Sequence, residues 1–200
     1  MDKKLIQAIE NELHKKLNSE RLNHTHGVAK AATLLAERYG ENPHDAKIAA
    51  LLHDYAKDFT KTELLEYIRK HKLKVDKLCL MVHELLHGVV AASIAQRKFQ
   101  IQNIDILNAI SNHTTGRRGM SKLEKIIYLA DFIEEGRIYP GVEGLREAAT
   151  KSLDKAVYQA LNNTIIFVVN TGKFLHPNTL YARNELLLGM DMQKTSGQSL

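Results

Sequence analysis

Histidine and aspartate residues recur along this chain at places where metal ligands would lie. The clearest case is the adjacent pair His53 and Asp54, which follows the apolar run 49–52. Adjacent side chains point apart on an ideal helix, but near a helix end they can converge on one cation. Because such pairs also occur by chance, mostly as surface or capping residues, the pair alone does not identify a site.

Two further histidines begin apolar segments. His24 precedes Val28, which lies one turn on, so His24 is expected on the buried face and is favoured as a ligand over His26. His87 is followed by Gly88 and other small residues, which would let a neighbouring helix or a ligand approach closely.

Two residues in the second half of the chain complete the pattern. His113 precedes a glycine-containing turn, and Asp131 interrupts an apolar helix face. A buried carboxylate needs a cation or a metal as its partner. Any one of these residues is more often a core or capping group, but together they form a nitrogen and oxygen set suited to a pair of borderline transition metals. The set comprises His24, His53, Asp54, His87, His113 and Asp131.

A competing motif is present in the same region. The string 83–87 reads His-Glu-Leu-Leu-His and matches the zinc peptidase pattern HExxH. That class needs a third ligand downstream and usually a strand-rich substrate edge, neither of which this chain offers. The peptidase interpretation also leaves His24, His53 and Asp54 unexplained, so it is disfavoured.

Composition narrows the class of protein. The chain has 200 residues, 44% of them hydrophobic, which is enough for one well-buried domain. The single Cys79 excludes an intramolecular disulfide and a cysteine-rich zinc site, and it fits a reducing compartment. With no secretory signal and no long apolar span, a cytoplasmic protein without a membrane segment is expected.

The charge pattern bears on the partner. The net charge of +5 favours anions, but the lysines are spread along the chain and there is no Trp. A small phosphorylated substrate is therefore expected in preference to nucleic acid. A homodimer formed through exposed apolar helix faces is also plausible.

Helical periodicity predicts an all-α fold. Leu5, Ile9 and Leu13 recur at four-residue spacing, and no useful stretch alternates as a strand would. Helix starts are predicted at Asn42-Pro43, at Thr60 or Thr62, and at Ser121 with Glu124 at capping-box spacing. A last short helix is predicted from Pro177 to Leu188, followed by a polar, frayed tail from Gln193.

The order of the six ligands on successive helices resembles the HD superfamily of metal-dependent phosphohydrolases. Finer motifs are similar to the YqeK family, and they cover nearly the whole chain. These motifs are Arg21-x-x-His24-Thr25, Leu52-His53-Asp54-Tyr55-Ala56-Lys57, Glu84-Leu85-x-His87-Gly88, Asn112-His113-Thr114-Thr115-Gly116-Arg117-x-Gly119-Met120, Glu124-Lys125-x-Ile127-Tyr128-x-Ala130-Asp131 and Tyr139-Pro140-Gly141-Val142. One departure is Gly88-Val89, where the family favours a proline and a glycine after the histidine.

The resemblance implies a helical bundle of the HD type with a metal site between helices. We expect this single domain to span residues 1–192 and the polar residues 193–200 to form a flexible tail. It implies symmetrical hydrolysis of diadenosine tetraphosphate to two ADP, with iron as the metal and the six residues above as ligands. We expect His24, His53, Asp54 and Asp131 to hold one ion and His87 and His113 the other, with Asp54 bridging them. A water between the two ions would be the nucleophile.

Roles in the reaction are expected for the residues around this centre. The catalytic residues are expected to be Asp54, Lys57 and His113. Phosphate contacts are expected from arginines that include Arg117, and the segment 174–179 is expected to border the nucleoside. The predicted substrate-binding residues are Arg21, His24, Lys57, His87, Thr114, Arg137 and Thr179.

Three alternatives stay open at this stage. Another HD phosphohydrolase, acting on a guanosine alarmone, a deoxynucleotide or a nucleoside monophosphate, would use the same ligands. A cyclic-dinucleotide phosphodiesterase of the HD-GYP kind should carry Gly-Tyr-Pro, and the nearest string here is Tyr139-Pro140-Gly141. A catalytically silent nucleotide-binding protein would more readily have lost some ligands, and none of the six is missing.

Overall fold

Helices are the regular secondary structure of the residues that the structure describes. A computed structural model describes residues 2–196, with side chains from 3 to 192, and this part contains no β-strand. The predicted all-α class is confirmed. The α-helices are α1 (Asp2–Lys16), α2 (Ser19–Tyr39), α3 (Pro43–Leu52), α4 (Lys61–His71), α5 (Lys77–Met81), α6 (Leu86–Lys98), α7 (Ile104–Asn112), α8 (Lys122–Ile133), α9 (Val142–Lys151), α10 (Leu153–Asn170) and α11 (Pro177–Ser196), with a 3₁₀ turn at His83–Leu85 before α6.

Side-chain caps explain where several helices begin. Asn42 caps α3 with Pro43 at the first helical position, as predicted. Thr60, the first of the two predicted starts, caps α4, and Ser121 caps α8; both form capping boxes with a glutamate three residues on. Each such cap typically stabilises its helix by about 0.5–2 kcal/mol.

The core lies where α2, α3, α7 and α8 pack together. Helix α2 packs against both α3 and α8, while α7 packs against α6 and α8. Fully buried side chains from these helices include Val28, Leu51, Leu52, Ile110 and Ile127. Burying each large aliphatic side chain contributes about 1.5–3 kcal/mol, so this core fixes the helix ends that carry the predicted ligands.

The last helix is longer than predicted. It runs to Ser196 instead of ending near Leu188. A single glycine, Gly189, is tolerated within a helix at a cost of about 1 kcal/mol, so it does not end this one. Part of the predicted tail, 193–196, therefore has a helical backbone, and residues 197–200 lie outside the described residues. None of the described helices is long and apolar enough to cross a membrane.

Candidate metal centre

The six predicted ligands come together at one end of the core from five different elements. His24 lies on α2 and Asp131 on α8, whereas His87 lies in the first turn of α6. His53 and His113 are the C-terminal cap residues of α3 and α7. Because the helix stops at His53, Asp54 is free to turn back, and its Oδ2 lies 3.6 Å from His53 Nε2.

Asp54 lies at the centre of this cluster. Its Oδ1 is 3.1 Å from His87 Nε2 and 3.4 Å from His113 Nε2. Its Oδ2 faces the other side, 3.6 Å from His53 Nε2 and 3.9 Å from His24 Nε2. The two oxygens of one carboxylate thus face two different pairs of histidines, which is the arrangement that a bridging ligand requires.

Backbone carbonyls orient three of the four histidines. The Nδ1–H of each donates to the carbonyl three residues earlier, at 2.5 Å for His53, 2.6 Å for His87 and 2.8 Å for His113. The neutral rings therefore carry their proton on Nδ1 and present an Nε2 lone pair to the cluster. A hydrogen bond of this kind commonly fixes the tautomer of a metal-binding histidine.

Several polar atoms in the cluster have no hydrogen-bond partner within the protein. His24 Nε2, His53 Nε2 and Asp54 Oδ1 are buried and have no hydrogen-bond partner. The Nε2 atoms of His87 and His113 lie only 3.0 Å apart, although both rings are protonated on Nδ1, so two lone pairs face each other. Buried polar groups are costly when unsatisfied, and a cation between them would remove this cost. The residues therefore fit a divalent metal centre.

The protonation states also suit metal binding. Burial lowers the pKa of His53 to about 4 and lowers that of His87 as well. Burial alone would raise the pKa of Asp54, but the neighbouring His53, His113 and His87 hold it well below its usual range. Near neutral pH His53 and His87 are thus neutral and Asp54 is ionised, the forms that bind metals. The pKa of His24 is raised instead, because Asp131 and Glu134 outweigh the effect of burial.

Two arginines border the cluster on its open side. Arg21 Nη1 lies 2.9 Å from Asp54 Oδ2, and Arg137 forms an ion pair with Asp131. Both arginines line a cavity of about 460 Å³, together with His24 and Gly136. The cavity meets the centre at His24, next to two guanidinium groups of the kind that can bind phosphate bidentately, and three glutamates also line it.

The other predicted substrate contacts, Lys57, Thr114 and Thr179, differ in their position relative to the centre and the cavity. Lys57 is half-buried, and its positive charge contributes to the lowered pKa of His87, which indicates that it lies near the centre. Thr114 is half-buried directly after His113. The side chain of Thr179 is buried in the first turn of α11, and this residue is not among those lining the 460 Å³ cavity.

Arg117 has a structural partner instead of facing the cavity. Its Nε and Nη2 donate to the two oxygens of the buried Glu124 at 2.6 and 2.7 Å. Such a bidentate pair occupies the planar face that would bind a phosphate. These donors of Arg117 are therefore occupied, which disfavours a phosphate contact by Arg117.

The peptidase motif is not formed. His83 belongs to the 3₁₀ turn, whereas His87 belongs to α6, so the two histidines do not share the one-turn spacing of a continuous α-helix. The side chain of His83 is 45% exposed and pairs with Glu84, while that of His87 is buried against Asp54. His26, the other disfavoured histidine, pairs with Glu10 away from the cluster.

One residue of the site was missed from the sequence. The buried Glu134 accepts a hydrogen bond from His24 Nδ1 at 3.1 Å, so the fourth histidine is oriented by a carboxylate and not by a backbone carbonyl. Its position three residues after Asp131, on the same side of the helix end, was the available signal.

A separate group of donors lies at the start of α5 and α11. Asp76, Cys79 and His176 have ligand-type atoms within 4.8 Å of one another. His176 Nδ1 accepts the backbone N–H of Asn178 at 3.2 Å, so the neutral ring is protonated on Nε2. The nitrogen that faces Asp76 and Cys79 is therefore a donor and not a free ligand, which disfavours a second metal site.

Close packing of α6 on α7 depends on Gly88, the first small residue after His87. A Cβ there would lie 2.8 Å from the Ser111 carbonyl oxygen and 3.4 Å from His113 Nδ1. We expect Gly88→Ala to push α7 away, displace His113 and lower the affinity for metal, with a stability loss of about 1–3 kcal/mol from overpacking. Metal titration and thermal unfolding check this, with Gly144→Ala as the control because a Cβ at Gly144 meets no atom within 4 Å. Unchanged metal binding in Gly88→Ala would contradict it.

A helical bundle that brings four histidines and two aspartates together is typical of helical proteins that bind metal ions between their helices. A family model described as "HD domain" matches residues 21–136, more than half of the chain. A relative from Bacillus subtilis is 41% identical over 175 residues, covering 86% of this chain and 92% of that protein. One from Halalkalibacterium halodurans is 42% identical over 172 residues, covering 86% and 91%. Both are named "Bis(5'-nucleosyl)-tetraphosphatase, symmetrical". The chain therefore belongs to the HD domain family, in the group that includes these relatives, which confirms the resemblance seen in the sequence.

A solved structure agrees with this placement. The crystal structure of a protein from Clostridium acetobutylicum, described as a predicted HD superfamily hydrolase involved in NAD metabolism, matches with a TM-score of 0.88 at 41% identity. The match covers 91% of this chain and 96% of that one. The similarity extends well beyond the part matched by the HD model, so the remaining helices belong to the shared fold.

Proposed function

We propose that this protein is a metal-dependent phosphohydrolase that cleaves diadenosine tetraphosphate symmetrically into two ADP. The observation that carries the proposal is the position of Asp54, whose two oxygens face different histidine pairs beside a cavity lined by arginines. Relatives that are 36–42% identical and named symmetrical bis(5'-nucleosyl)-tetraphosphatases support the choice of substrate.

In this proposal the chain divides its ligands between two ions. His24, His53 and Asp131 offer atoms within 4.8 Å of one another, and so do His53, Asp54 and His113. Asp54 would bridge the two ions, with His87 completing the second set. Divalent ions bound by such a set polarise phosphoryl oxygens and activate water as a nucleophile. The chain therefore needs no serine or cysteine nucleophile.

The charged side chains at the rim orient the substrate. Arg21 and Arg137 each use part of their guanidinium on a ligand carboxylate, and the remaining N–H groups are available to phosphate oxygens in the cavity. Lys57 adds a positive charge near His87. Together these groups offset the negative charge of the polyphosphate and hold the central bridging oxygen near the centre.

The reaction cleaves one P–O bond at the central bridging oxygen. Water adds to one of the two inner phosphorus atoms in line with that bond, and ADP leaves with the bridging oxygen. The water oxygen ends in one ADP and the bridging oxygen in the other. ADP is a good leaving group, so no strongly acidic side chain is needed to protonate it.

Product analysis tests the proposal. We expect diadenosine tetraphosphate to give only ADP, with ¹⁸O from labelled water in one of the two ADP molecules, as measured by mass spectrometry. An analogue with a methylene group in place of the central bridging oxygen should resist cleavage, whereas replacement of an outer bridging oxygen should not prevent it. ATP plus AMP as products, or a clear preference for another nucleotide in a panel, would contradict the proposal.

Iron is the metal we propose for this centre, on the basis of the family resemblance and the mixed nitrogen and oxygen donors. Anaerobically purified protein should then contain about two iron ions per chain. Full activity of protein that contains only zinc or only manganese, and no iron, would contradict this assignment. We also propose that the protein acts in the cytoplasm on free nucleotides.

Self-association is a further part of the proposal. Phe167 and Phe174 are more than half exposed near the end of α10. Burying such apolar side chains between two copies would stabilise a homodimer. Light scattering coupled to gel filtration gives the molar mass, and a mass of 22.6 kDa for the eluting species would contradict the dimer.

A further inference from the structure

Glu134 differs from every other carboxylate near the centre because it faces the outer nitrogen of a ligand and not the cluster. Its Oε1 lies 3.1 Å from His24 Nδ1, while Oε2 accepts the backbone N–H of Gly136 at 2.6 Å. The residue is only 4% exposed. Both oxygens are thus held by fixed groups, which leaves the carboxylate little freedom to turn towards solvent.

This contact makes His24 chemically different from the other three histidines. A carboxylate partner gives an imidazole more anionic character than a neutral backbone carbonyl does, which strengthens its bond to a cation. The Nε2 atom of His24 lies 3.0 Å from Asp131 Oδ1, and Asp131 pairs with Arg137. Glu134 therefore acts at one side of the centre, the side formed by His24 and Asp131.

The backbone around Glu134 is shaped to admit it. A Cβ added at Gly27, one turn after His24 on α2, would lie 2.5 Å from Glu134 Oε2 and 3.2 Å from its carboxyl carbon. No side chain at position 27 is compatible with the observed position of Glu134. Glycine in the middle of a helix costs about 1 kcal/mol relative to alanine, and here it makes room for the carboxylate.

We propose that Glu134 is a positioning residue that fixes the tautomer of His24 and selectively strengthens metal binding at the His24 and Asp131 side of the centre, and that Gly27 serves to admit it. The inference rests on the metal centre of the proposed function but not on its substrate. It assigns to Glu134 an effect on one ion of the pair, with the other ion bound through His87 and His113.

The first experiment titrates metal-free protein anaerobically with Fe²⁺ or Mn²⁺ in competition with a chelator. Removing a partner of this kind weakens metal binding by about 10- to 100-fold. We expect Glu134→Ala to weaken one of two binding steps by this factor and leave the other unchanged. Glu134→Gln, whose amide oxygen can still accept from His24, should show a smaller loss.

The matched control is Glu135→Gln. Glu135 is the next residue, but its side chain is 69% exposed and pairs with Lys30. The Glu135→Gln protein should bind both ions with the affinities of the wild type. Thermal unfolding of the metal-free proteins should give similar midpoints for the Gln variants, because a merely structural role of Glu134 would lower the midpoint without any metal.

The second experiment is a double-mutant cycle between positions 27 and 134. Gly27→Ala should weaken the same binding step in the wild type, because the new methyl group displaces the carboxylate. In a Glu134→Ala background, Gly27→Ala should have no further effect, because nothing remains to be displaced.

Two outcomes would overturn the inference. One is a Glu134→Ala protein that binds both ions with wild-type affinity, and the other is an equal effect of Gly27→Ala in both backgrounds. These outcomes are separate from the fate of the proposed function. A wild-type protein that binds two ions but leaves diadenosine tetraphosphate intact would refute that function and leave the role of Glu134 standing.

Discussion

Asp54→Asn is expected to lower kcat/KM for diadenosine tetraphosphate by at least about a thousandfold, which corresponds to about 4 kcal/mol of transition-state stabilisation. The change keeps the size of the side chain but removes the charge that lies between His87 and His113 on one side and His53 and His24 on the other. An amide nitrogen cannot accept a cation, so at most one oxygen remains as a ligand. Steady-state assays of ADP formation measure the loss.

The control for this variant is Asp58→Asn in the same turn region. Asp58 is exposed, and its carboxylate accepts a hydrogen bond only from Asn18 among the contacts seen for it. The activity of the Asp58→Asn protein should remain within about twofold of wild type, because exposed polar pairs contribute little. If Asp54→Asn retains more than a tenth of wild-type activity while folding normally, Asp54 does not bridge a catalytic metal pair.

Removal of metal is expected to abolish hydrolysis and to destabilise the protein. A ligand present at about 1,000 times its Kd stabilises the folded state by about 4 kcal/mol. For a chain of this size, each kcal/mol changes Tm by about 2–4 °C, so chelation should lower Tm by about 8–16 °C. The physical origin is the unsatisfied set of His24 Nε2, His53 Nε2 and Asp54 Oδ1, which a bound cation would satisfy.

Differential scanning fluorimetry with and without a chelator measures this shift. Restoring one divalent metal at a time should recover both Tm and activity for the ion that the centre prefers. A variant that removes a ligand, His113→Ala, should show a much smaller chelator effect than the wild type. A Tm that chelation does not change, at full metal removal, would rule out a structural contribution of the centre.

Helix starts were predictable because they depend on neighbouring residues. Thr60 with Glu63 and Ser121 with Glu124 form capping boxes whose partners are three residues apart, and both occur as the sequence indicates. The end of α11 was not predictable in the same way. Leu186 is buried in the core, and the helix continues past Gly189, although the polar residues that follow gave no signal for it.

The ligand types were predictable, but their roles relative to one another required the fold. A histidine or aspartate in an apolar segment is unusual enough to be noticed from the sequence. Arg117 was a weaker candidate for phosphate, and only the position of the buried Glu124 shows that its guanidinium has a partner within the protein. The partnership of Glu134 with His24 joins residues 110 positions apart and depends on how α2 lies against α8.

By itself the sequence determined the helical class, the six candidate metal ligands and the family, because these follow from residue types, their spacing and motifs along the chain. The tertiary structure decided which nitrogen of each histidine faces the centre, how the two oxygens of Asp54 divide the histidines, and why residue 27 is glycine. These features depend on distances of a few ångströms between elements that are far apart in sequence. Such distances are set by core packing, where a single methyl group at Gly27 or Gly88 is enough to change them.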